Sequence, residues 1–216
     1  ETDKAINSMV ISEIGKHYPD HGVLGEEESG DYQGKEFIWV CDPIDGTIPF
    51  SHGLQMSTFS LAIVQNGQPV VAVVGDPFHN NLFWAVKGQG SFLNGRRLET
   101  SKKEDFKGAL VHVEGGSRLP KINALYQEAG AFRVAYASFV FGAKQVATGH
   151  FVTSIFTYDN PWDCAAAMLL VEEAGGVTSN LNGEAQRYDQ TLSGFVASAN
   201  AKIHEQNLEM IKQGRP

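Results

Sequence analysis

Cysteine is scarce in this chain of 216 residues, and a basic excess and long apolar stretches are missing. Two cysteines are too few for a disulfide framework, so a reducing, cytoplasmic location is expected. The longest apolar stretches reach about seven residues, whereas a helix that crosses a bilayer needs roughly 20. The 17 basic and 25 acidic residues give a net charge of −8, which argues against nucleic-acid binding and a membrane-surface role.

The composition is that of a globular protein, with 42% hydrophobic and 19% charged residues. Helical and strand patterns alternate along the chain, which predicts a mixed α/β class. A charged segment at 99–108 is either a solvated loop or the boundary between two halves, residues 1–107 and 108–216, which together are expected to form one unit. Helices are predicted from about residue 5 to before Pro19, at 120–129, from Asn160-Pro161 (with Asn160 as the capping residue) to Gly175, and from 203. Strands are predicted at 37–41, 57–65, 70–75, 82–86, 109–113, 132–137, 151–156, 177–179 and 194–198.

Three acidic clusters stand at the edges of these predicted elements. They are the glutamates at 26–28, the segment Asp-Pro-Ile-Asp-Gly-Thr at 42–47, and Asp163 in the first turn of a helix. Asp3 near the start is a fourth candidate. Each cluster alone has an ordinary explanation, because acidic residues also form solvated faces and surface turns and favour helix N-termini. Their occurrence together points to a functional site.

The segment at 42–47 is the most informative of the three. It follows an apolar strand directly, so Asp42 and Asp45 come into one small volume with several free amide groups. Two close carboxylates repel each other, and both stay ionised most easily around a cation. Oxygen ligands without a Cys/His set suit Mg²⁺ rather than Zn²⁺. A phosphate group would bridge such a metal and the amides at a following helix start.

In this order, the clusters resemble the inositol monophosphatase family, within the wider group of Mg²⁺-dependent, lithium-sensitive phosphatases. The pattern of that group is D, EE, DP-[IL]-D-[GSA]-T, WD and GG. In this chain the pattern occurs at Asp3, 26–27, 42–47, 162–163 and 175–176. The resemblance covers nearly the whole chain and implies a layered α-β-α-β-α sandwich of the sugar-phosphatase type, and a homodimer. The family's helices before the segment around Asp3 are not in this sequence, so an incomplete N-terminal helical layer is expected.

The resemblance also implies the metal ligands. Glu26, Asp42 and the carbonyl of Ile44 would hold the first ion. Asp42, Asp45 and Asp163 would hold the second. Glu26 is expected to reach a weaker third ion, so that two to three Mg²⁺ ions serve as cofactors. Glu27 is expected nearby.

Two further roles are implied by the resemblance. Asp3 and Thr47 match the pair that orients and deprotonates the attacking water, and the amides of Gly46 and Thr47 would bind the phosphate. Hydrolysis of phosphate monoesters is among the slowest uncatalysed reactions, and two metal ions roughly 3.5–4 Å apart activate water and stabilise the leaving oxygen. No Gly-x-Ser-x-Gly elbow is present for a covalent route.

The sequence departs from the family at substrate-contact positions. Inositol-selective members carry a glutamate seven residues before the Trp-Asp aspartate, and Phe156 stands there. Residues 48–50 and 137–140 also differ from the family's polar and small segments. A poor inositol monophosphatase is therefore expected. A neighbouring acid such as Asp159, on the loop at 157–161, is one candidate to replace the missing carboxylate.

Three other side chains border the motifs. His52 follows Gly46 by six residues and is either a surface residue or a neighbour of the site. Cys41 and Cys164 each adjoin a proposed metal ligand, and core packing is the preferred interpretation for both. Most of the histidines are expected at the surface.

Two classes of function remain open. The favoured one is a phosphoric monoester hydrolase that uses metal-activated water on a small phosphorylated metabolite, such as an inositol phosphate, histidinol phosphate, a sugar phosphate or phosphoadenosine phosphate. The alternative is a non-catalytic regulatory or binding protein that retains the phosphatase fold, since some relatives act on the transcription machinery. A complete set of motif ligands favours the enzyme.

Overall fold

A computed structural model describes residues 1–215, which form two mixed sheets with helices between and outside them. The first sheet is a meander in which only the first pair of strands is parallel. Strand β3 alternates between buried and half-buried residues, as expected for a strand with two different faces. In sheet order, the strands are β1 (Gly22–Gly25), β2 (Phe37–Asp45), β3 (Thr58–Gln65), β4 (Gln68–Asp76), β5 (Asn81–Val86), β6 (Gly90–Leu93) and β7 (Arg96–Arg97).

The second sheet belongs to the following part of the chain and has the order β11-β12-β10-β8-β9. Its β8 is parallel to both β9 and β10, whereas β12 is antiparallel to β10 and β11. The strands are β8 (Leu110–Glu114), β9 (Phe132–Val134), β10 (Thr153–Phe156), β11 (Val177–Ser179) and β12 (Phe195–Ser198).

The helices complete a five-layer arrangement, so the predicted α-β-α-β-α sandwich is confirmed. Helix α1 contacts β1 and β2, α4 and α5 lie between the sheets, and α3 and α6 cover the second sheet. The helices are α1 (Thr2–His17), α2 (Thr47–Ser51), α3 (Ile122–Glu128), α4 (Phe139–Ala147), α5 (Pro161–Glu173) and α6 (Ala201–Gly214).

Helix α5 is the central element of the core. Its residues 163–171 are buried, and it packs against strands of both sheets. A helix that is apolar on all sides is expected in such a position. The small side chains at 165–167 allow the two sheets to approach the helix closely, and this places the first turn of α5 beside the end of β2.

Most predicted elements are confirmed, with two informative differences. The strand predicted at 132–137 ends at Val134, because the chain turns through Ala137, which has a φ of 53°. The following segment, predicted only as a connection, forms α4. The division of the chain at residue 107 stays a prediction. Within residues 1–215, no helix is both long enough and apolar enough to cross a bilayer.

Candidate active site

An irregularity in β2 places Asp42 and Asp45 on the same side of the first sheet. Asp42 pairs with Ser60 and Asp45 pairs with Thr58, so three steps along β2 match two steps along β3. In a regular strand, residues three apart point to opposite faces, and one extra residue corrects this. Pro43 lies in the interrupted stretch, where its lack of an N–H group has no cost to the ladder.

Helix α5 supplies the third carboxylate. Asp163 lies in the first turn of α5, and the Nδ2 of Asn160 donates to its Oδ2 at 3.0 Å. The prediction that the Asn160 side chain caps the helix is therefore wrong, since that side chain orients Asp163 instead. Asp42, Asp45 and Asp163 each offer an oxygen atom, and these atoms lie within 4.8 Å of one another.

The three carboxyl groups are costly to ionise together. Burial, followed by the charges of Asp45 and Asp163, raises the pKa of Asp42 well above its ordinary value. Burial and the charge of Asp45 raise the pKa of Asp163 to about 7. Since a nearby positive charge reverses such shifts, the donor set fits a hard divalent cation.

Asp45 also holds α4 in place. Its Oδ2 accepts hydrogen bonds from the hydroxyls of Ser138 and Thr58 (the latter at 3.0 Å) and from the amide of Phe141 at 3.2 Å. Its Oδ1 accepts from the amide of Phe139 at 2.9 Å. The first amides of a helix lack intrahelical partners, so a buried carboxylate satisfies them and interacts favourably with the helix dipole. Within residues 1–215, Oδ1 has that single bond and retains a lone pair for a metal.

Glu26 and Asp3 are charged neighbours of this group. Glu26 directly follows β1, and its backbone N–H donates to the carbonyl of Cys41 at 3.1 Å. Desolvation raises the pKa of Glu26, and the charges of Glu27, Asp45 and Asp3 add to this effect. The charge of Glu26 in turn contributes to the raised pKa of Asp42.

The turn after β2 requires glycine. Gly46 has a φ of 84°, and a Cβ there would lie 2.7 Å from the Cβ of Ser138. The turn leads into α2, whose first residue, Thr47, donates its hydroxyl to the carbonyl of Ile44 at 3.2 Å. Gly46, Thr47 and Ile44 thus lie within two residues of Asp45, and their roles stay predictions.

The remaining candidates occupy different environments. Phe156 is a wall of a cavity of about 310 Å³ that Asp45 and Asp163 also line. Asp159 instead lines a separate cavity of about 600 Å³, so the structure does not place it where the missing carboxylate was expected. His52 is exposed, and its Nδ1 lies 2.9 Å from the carbonyl oxygen of Ile48.

Both cysteines are buried and free, as predicted. Four of the seven histidines are exposed, whereas His112 and His204 are buried.

Sequence reasoning missed three features beside the site. Ser138 was not recognised as a partner of Asp45, although a serine before a helix is a familiar signal. Glu114, at the end of β8, lines the same cavity as Phe156. Lys144 of α4 forms a buried ion pair with Asp76, which the sequence presents only as part of an Asp-Pro turn. No local pattern reveals the last two, because each depends on contacts between distant segments.

Comparisons with known proteins agree with this geometry. The model of the inositol monophosphatase family matches residues 1–214. The chain is 35% identical over 212 residues to "Nus factor SuhB" of Escherichia coli (strain K12), covering 93% of this chain and 77% of the relative. It is 31% identical over 220 residues to the fructose-1,6-bisphosphatase/inositol-1-monophosphatase of Thermotoga maritima, covering 99% and 82%. The solved structure of an IMPase/NADP phosphatase complexed with Mg²⁺ and phosphate matches with a TM-score of 0.88 and 26% identity, covering 97% of this chain and 80% of that one.

Proposed function

The chain belongs to the inositol monophosphatase family, as its motifs predicted, and from this premise we propose that it is a Mg²⁺-dependent phosphatase of a small phosphate monoester. The observation that carries the proposal is the buried group of Asp42, Asp45 and Asp163, whose oxygen atoms lie within 4.8 Å of one another. Such a group is unfavourable without a cation, and its oxygen donors suit Mg²⁺.

The proposed ligands follow the family pattern. Glu26, Asp42 and the Ile44 carbonyl would hold one ion, and Asp42, Asp45 and Asp163 would hold a second. When bound, paired divalent ions lower the pKa of water and offset the charge that develops on the phosphate. The hydrogen bonds that the amides of α4 make to Asp45 support this assignment, because they fix the orientation of the carboxylate before any ion binds.

The other groups of the site are proposed to position the reactants. The charge of Asp3 contributes to the raised pKa of Glu26, which supports a role for Asp3 near that proposed ligand. The Thr47 hydroxyl lies two residues after Asp45, where it donates to the Ile44 carbonyl. We assign these two residues to the orientation of the attacking water, with Asp3 accepting its proton. The backbone N–H groups of Gly46 and Thr47 stand at the start of α2, where no carbonyl of the helix can accept their hydrogen bonds. They are therefore available to phosphate oxygens.

A phosphate-release panel tests the proposal. Inositol 1-phosphate, histidinol phosphate, fructose 1,6-bisphosphate, phosphoadenosine phosphate and a simple alkyl phosphate are each measured with Mg²⁺, with chelator and with added Li⁺. We expect Mg²⁺-dependent release from at least one ester and inhibition by Li⁺. Full activity in chelator would contradict the metal mechanism, whereas activity that resists Li⁺ would contradict only the lithium part.

A second candidate is a regulatory protein that keeps the phosphatase fold. The observation that favours it is the match to a relative whose name is Nus factor SuhB. The two candidates make different predictions for this site. A regulatory protein tolerates loss of the buried carboxylates without a change in its binding function, whereas a phosphatase does not. Absence of phosphate release across the panel, with Mg²⁺ present and the protein folded, would favour the regulatory protein.

A further inference from the structure

The cavity beside the acidic group has an unusual combination of walls for a polyol site. Its volume is about 310 Å³, and among the described residues that line it there is no lysine or arginine. Aromatic rings form one part of the lining and carboxylates another. The lining residues are Asp45, Ile48, Glu114, Ala137, Ser138, Phe139, Phe156, Tyr158, Asn160 and Asp163.

The aromatic wall is continuous and firmly packed. The ring of Phe156 lies 4.6 Å from that of Phe139 and 5.3 Å from that of Tyr158, measured between centroids. Phe156 and Phe139 are buried, whereas Tyr158 is 41% exposed. A substrate in this cavity therefore meets hydrocarbon surface next to the proposed phosphate site.

Glu114 is a carboxylate of the cavity lining that is not among the proposed metal ligands. It ends β8 and stands directly opposite Phe156 in the register of β8 and β10. Its Oε1 lies 3.0 Å from the Nε2 of His112 and accepts a hydrogen bond from the amide of Ala137 at 2.9 Å. Its side chain is 20% exposed, so it is held in place yet reachable from the cavity.

The surroundings of Glu114 favour its ionised form, which accepts hydrogen bonds and donates none. Burial alone would raise its pKa, but the hydrogen bond and charge of His112, with the amides of Ala137 and Tyr136, lower the pKa below its ordinary value. Both bonds given above end on Oε1. A carboxylate has about four acceptor sites and Glu114 lines the cavity, so acceptor capacity remains for a ligand there.

These walls distinguish between classes of phosphate ester. A polyol carries hydroxyls on every side, and those that face the rings of Phe139, Phe156 and Tyr158 would lose water without gaining a partner. A short hydrocarbon chain with one protonated amine fits better, because the chain packs on the rings and the amine meets a carboxylate. Aromatic faces also attract a cation directly. Arg118 lies over the Tyr158 ring and donates to the Thr157 carbonyl, but it is not part of the lining.

We propose that Glu114 is a specificity-determining residue, and that it binds the protonated amine of a small amino-alcohol phosphate whose hydrocarbon part lies against Phe156 and Tyr158. The proposal rests on the proposed phosphatase function, since it names the substrate class of that same site. It also accounts for a phenylalanine at position 156, because the carboxylate that contacts the substrate is on the neighbouring strand.

Matched ester pairs test the proposal. kcat/KM is measured with Mg²⁺ for 2-aminoethyl phosphate against propyl phosphate, and for 3-aminopropyl phosphate against butyl phosphate, because each pair differs in an ammonium and a methyl group. Inositol 1-phosphate is the polyol comparison. The variants are Glu114→Gln, which keeps the shape and the acceptor for the Ala137 amide, and Glu128→Gln, which removes an exposed negative charge at the end of α3.

We expect at least one amine ester to exceed its alkyl partner by roughly 10- to 100-fold in the parent, as for a hydrogen bond between charged groups. Glu114→Gln should remove most of that ratio and leave the alkyl ester within about threefold, while Glu128→Gln should retain the ratio. An amine preference that survives in Glu114→Gln, or a parent that prefers alkyl esters or inositol 1-phosphate, would overturn the proposal.

A binding measurement separates this proposal from the proposed function. Calorimetry with Mg²⁺ compares 4-aminobutylphosphonate with pentylphosphonate, which are not hydrolysed, in the parent and in Glu114→Gln. Tighter binding of the amine that is lost in Glu114→Gln supports the role of Glu114 even if no ester is hydrolysed, and equal binding of the two phosphonates contradicts it. Hydrolysis of alkyl esters without an amine preference would instead leave the phosphatase function intact and reject the substrate class.

Discussion

Replacing Asp163 with asparagine is expected to stabilise the metal-free protein while removing its activity. Asp163 is 9% exposed, and burial and the charge of Asp45 raise its pKa from 3.8 to about 7. One pKa unit corresponds to about 1.4 kcal/mol, so an isolated group with this shift would cost roughly 4 kcal/mol once ionised. The charge repulsion is spread over Asp42, Asp45 and Asp163, and it falls when any one of them is neutral. We therefore expect Asp163→Asn to raise the free energy of unfolding by about 1–4 kcal/mol.

The pH dependence of this gain has a defined sign. Between pH 3.8 and about 7, the native protein holds the Asp163 proton and the unfolded chain does not. The free energy of unfolding of the parent therefore falls as the pH rises through this range. The advantage of Asp163→Asn should be small near the lower limit and largest above the upper one. Asparagine keeps an oxygen acceptor for Asn160, so the local geometry is conserved.

Urea denaturation in chelator at about pH 5 and about pH 8 measures this difference. Asp20→Asn, at an exposed carboxylate, is the control and should show no gain. Mg²⁺ should then reverse the order, since an ion that binds only the native state stabilises the parent by mass action and the variant less. Equal stability of parent and Asp163→Asn at the higher pH, or a gain that grows as the pH falls, would refute the reasoning.

Three substitutions outside the carboxylate group have equally definite expectations. Gly46→Ala should cost about 1–3 kcal/mol in chemical denaturation, because the residue has a φ of 84° and its Cβ would meet Ser138 at 2.7 Å; unchanged stability would contradict this. Gly142→Ala should destabilise, although alanine normally favours a helix by about 1 kcal/mol, because the new Cβ would lie 2.1 Å from the Nδ1 of His112; a stabilised variant would be the contrary result. Lys144→Met should cost up to about 3–5 kcal/mol, because the buried Asp76 would keep only the exposed His79 as a charged partner, and adding Asp76→Asn should recover part of the loss, which a double-mutant cycle measures.

The segments of the proposed metal site could be recognised because each of them is short and continuous in sequence, and their order resembles that of a known family. Asp42 and Asp45 stand in one short segment with a proline and a glycine, and Asp163 follows a helix start signalled by Asn160-Pro161. Both signals act within a few residues, so one sequence is sufficient to read them. The bulge in β2 was not predictable in the same way, since it depends on the pairing with β3.

Helix α4 shows where local signals mislead. Its sequence at 139–147 contains aromatic and β-branched residues and a glycine, which favour a strand or a break over a helix. The helix forms because Asp45 accepts its first amides and because its residues are buried between the sheets. Gly142 is required there by the close approach of His112, not by backbone flexibility.

The position of Glu114 could not be predicted from the sequence for a different reason. Its position opposite Phe156 follows from the parallel pairing of β8 with β10, which are separated along the chain by β9 and α4. A single sequence contains no signal for that register. The position of Glu114 in the cavity therefore follows only from the three-dimensional structure, whereas the proposed metal ligands could be inferred from the sequence.

The most direct test of the account is phosphate release by the parent and by Asp42→Asn, measured side by side in chelator and after Mg²⁺ is restored. Asp42 is proposed to be a ligand of both ions. Mutation of a residue that only hydrogen-bonds to a metal ligand already lowers metal affinity or activity by about 10- to 100-fold, so loss of a shared ligand should cost at least as much. We expect release by the parent only with Mg²⁺, and a loss of at least about 100-fold in Asp42→Asn while its circular dichroism spectrum is unchanged. Undiminished release in chelator, or activity of folded Asp42→Asn within a few fold of the parent, would contradict it.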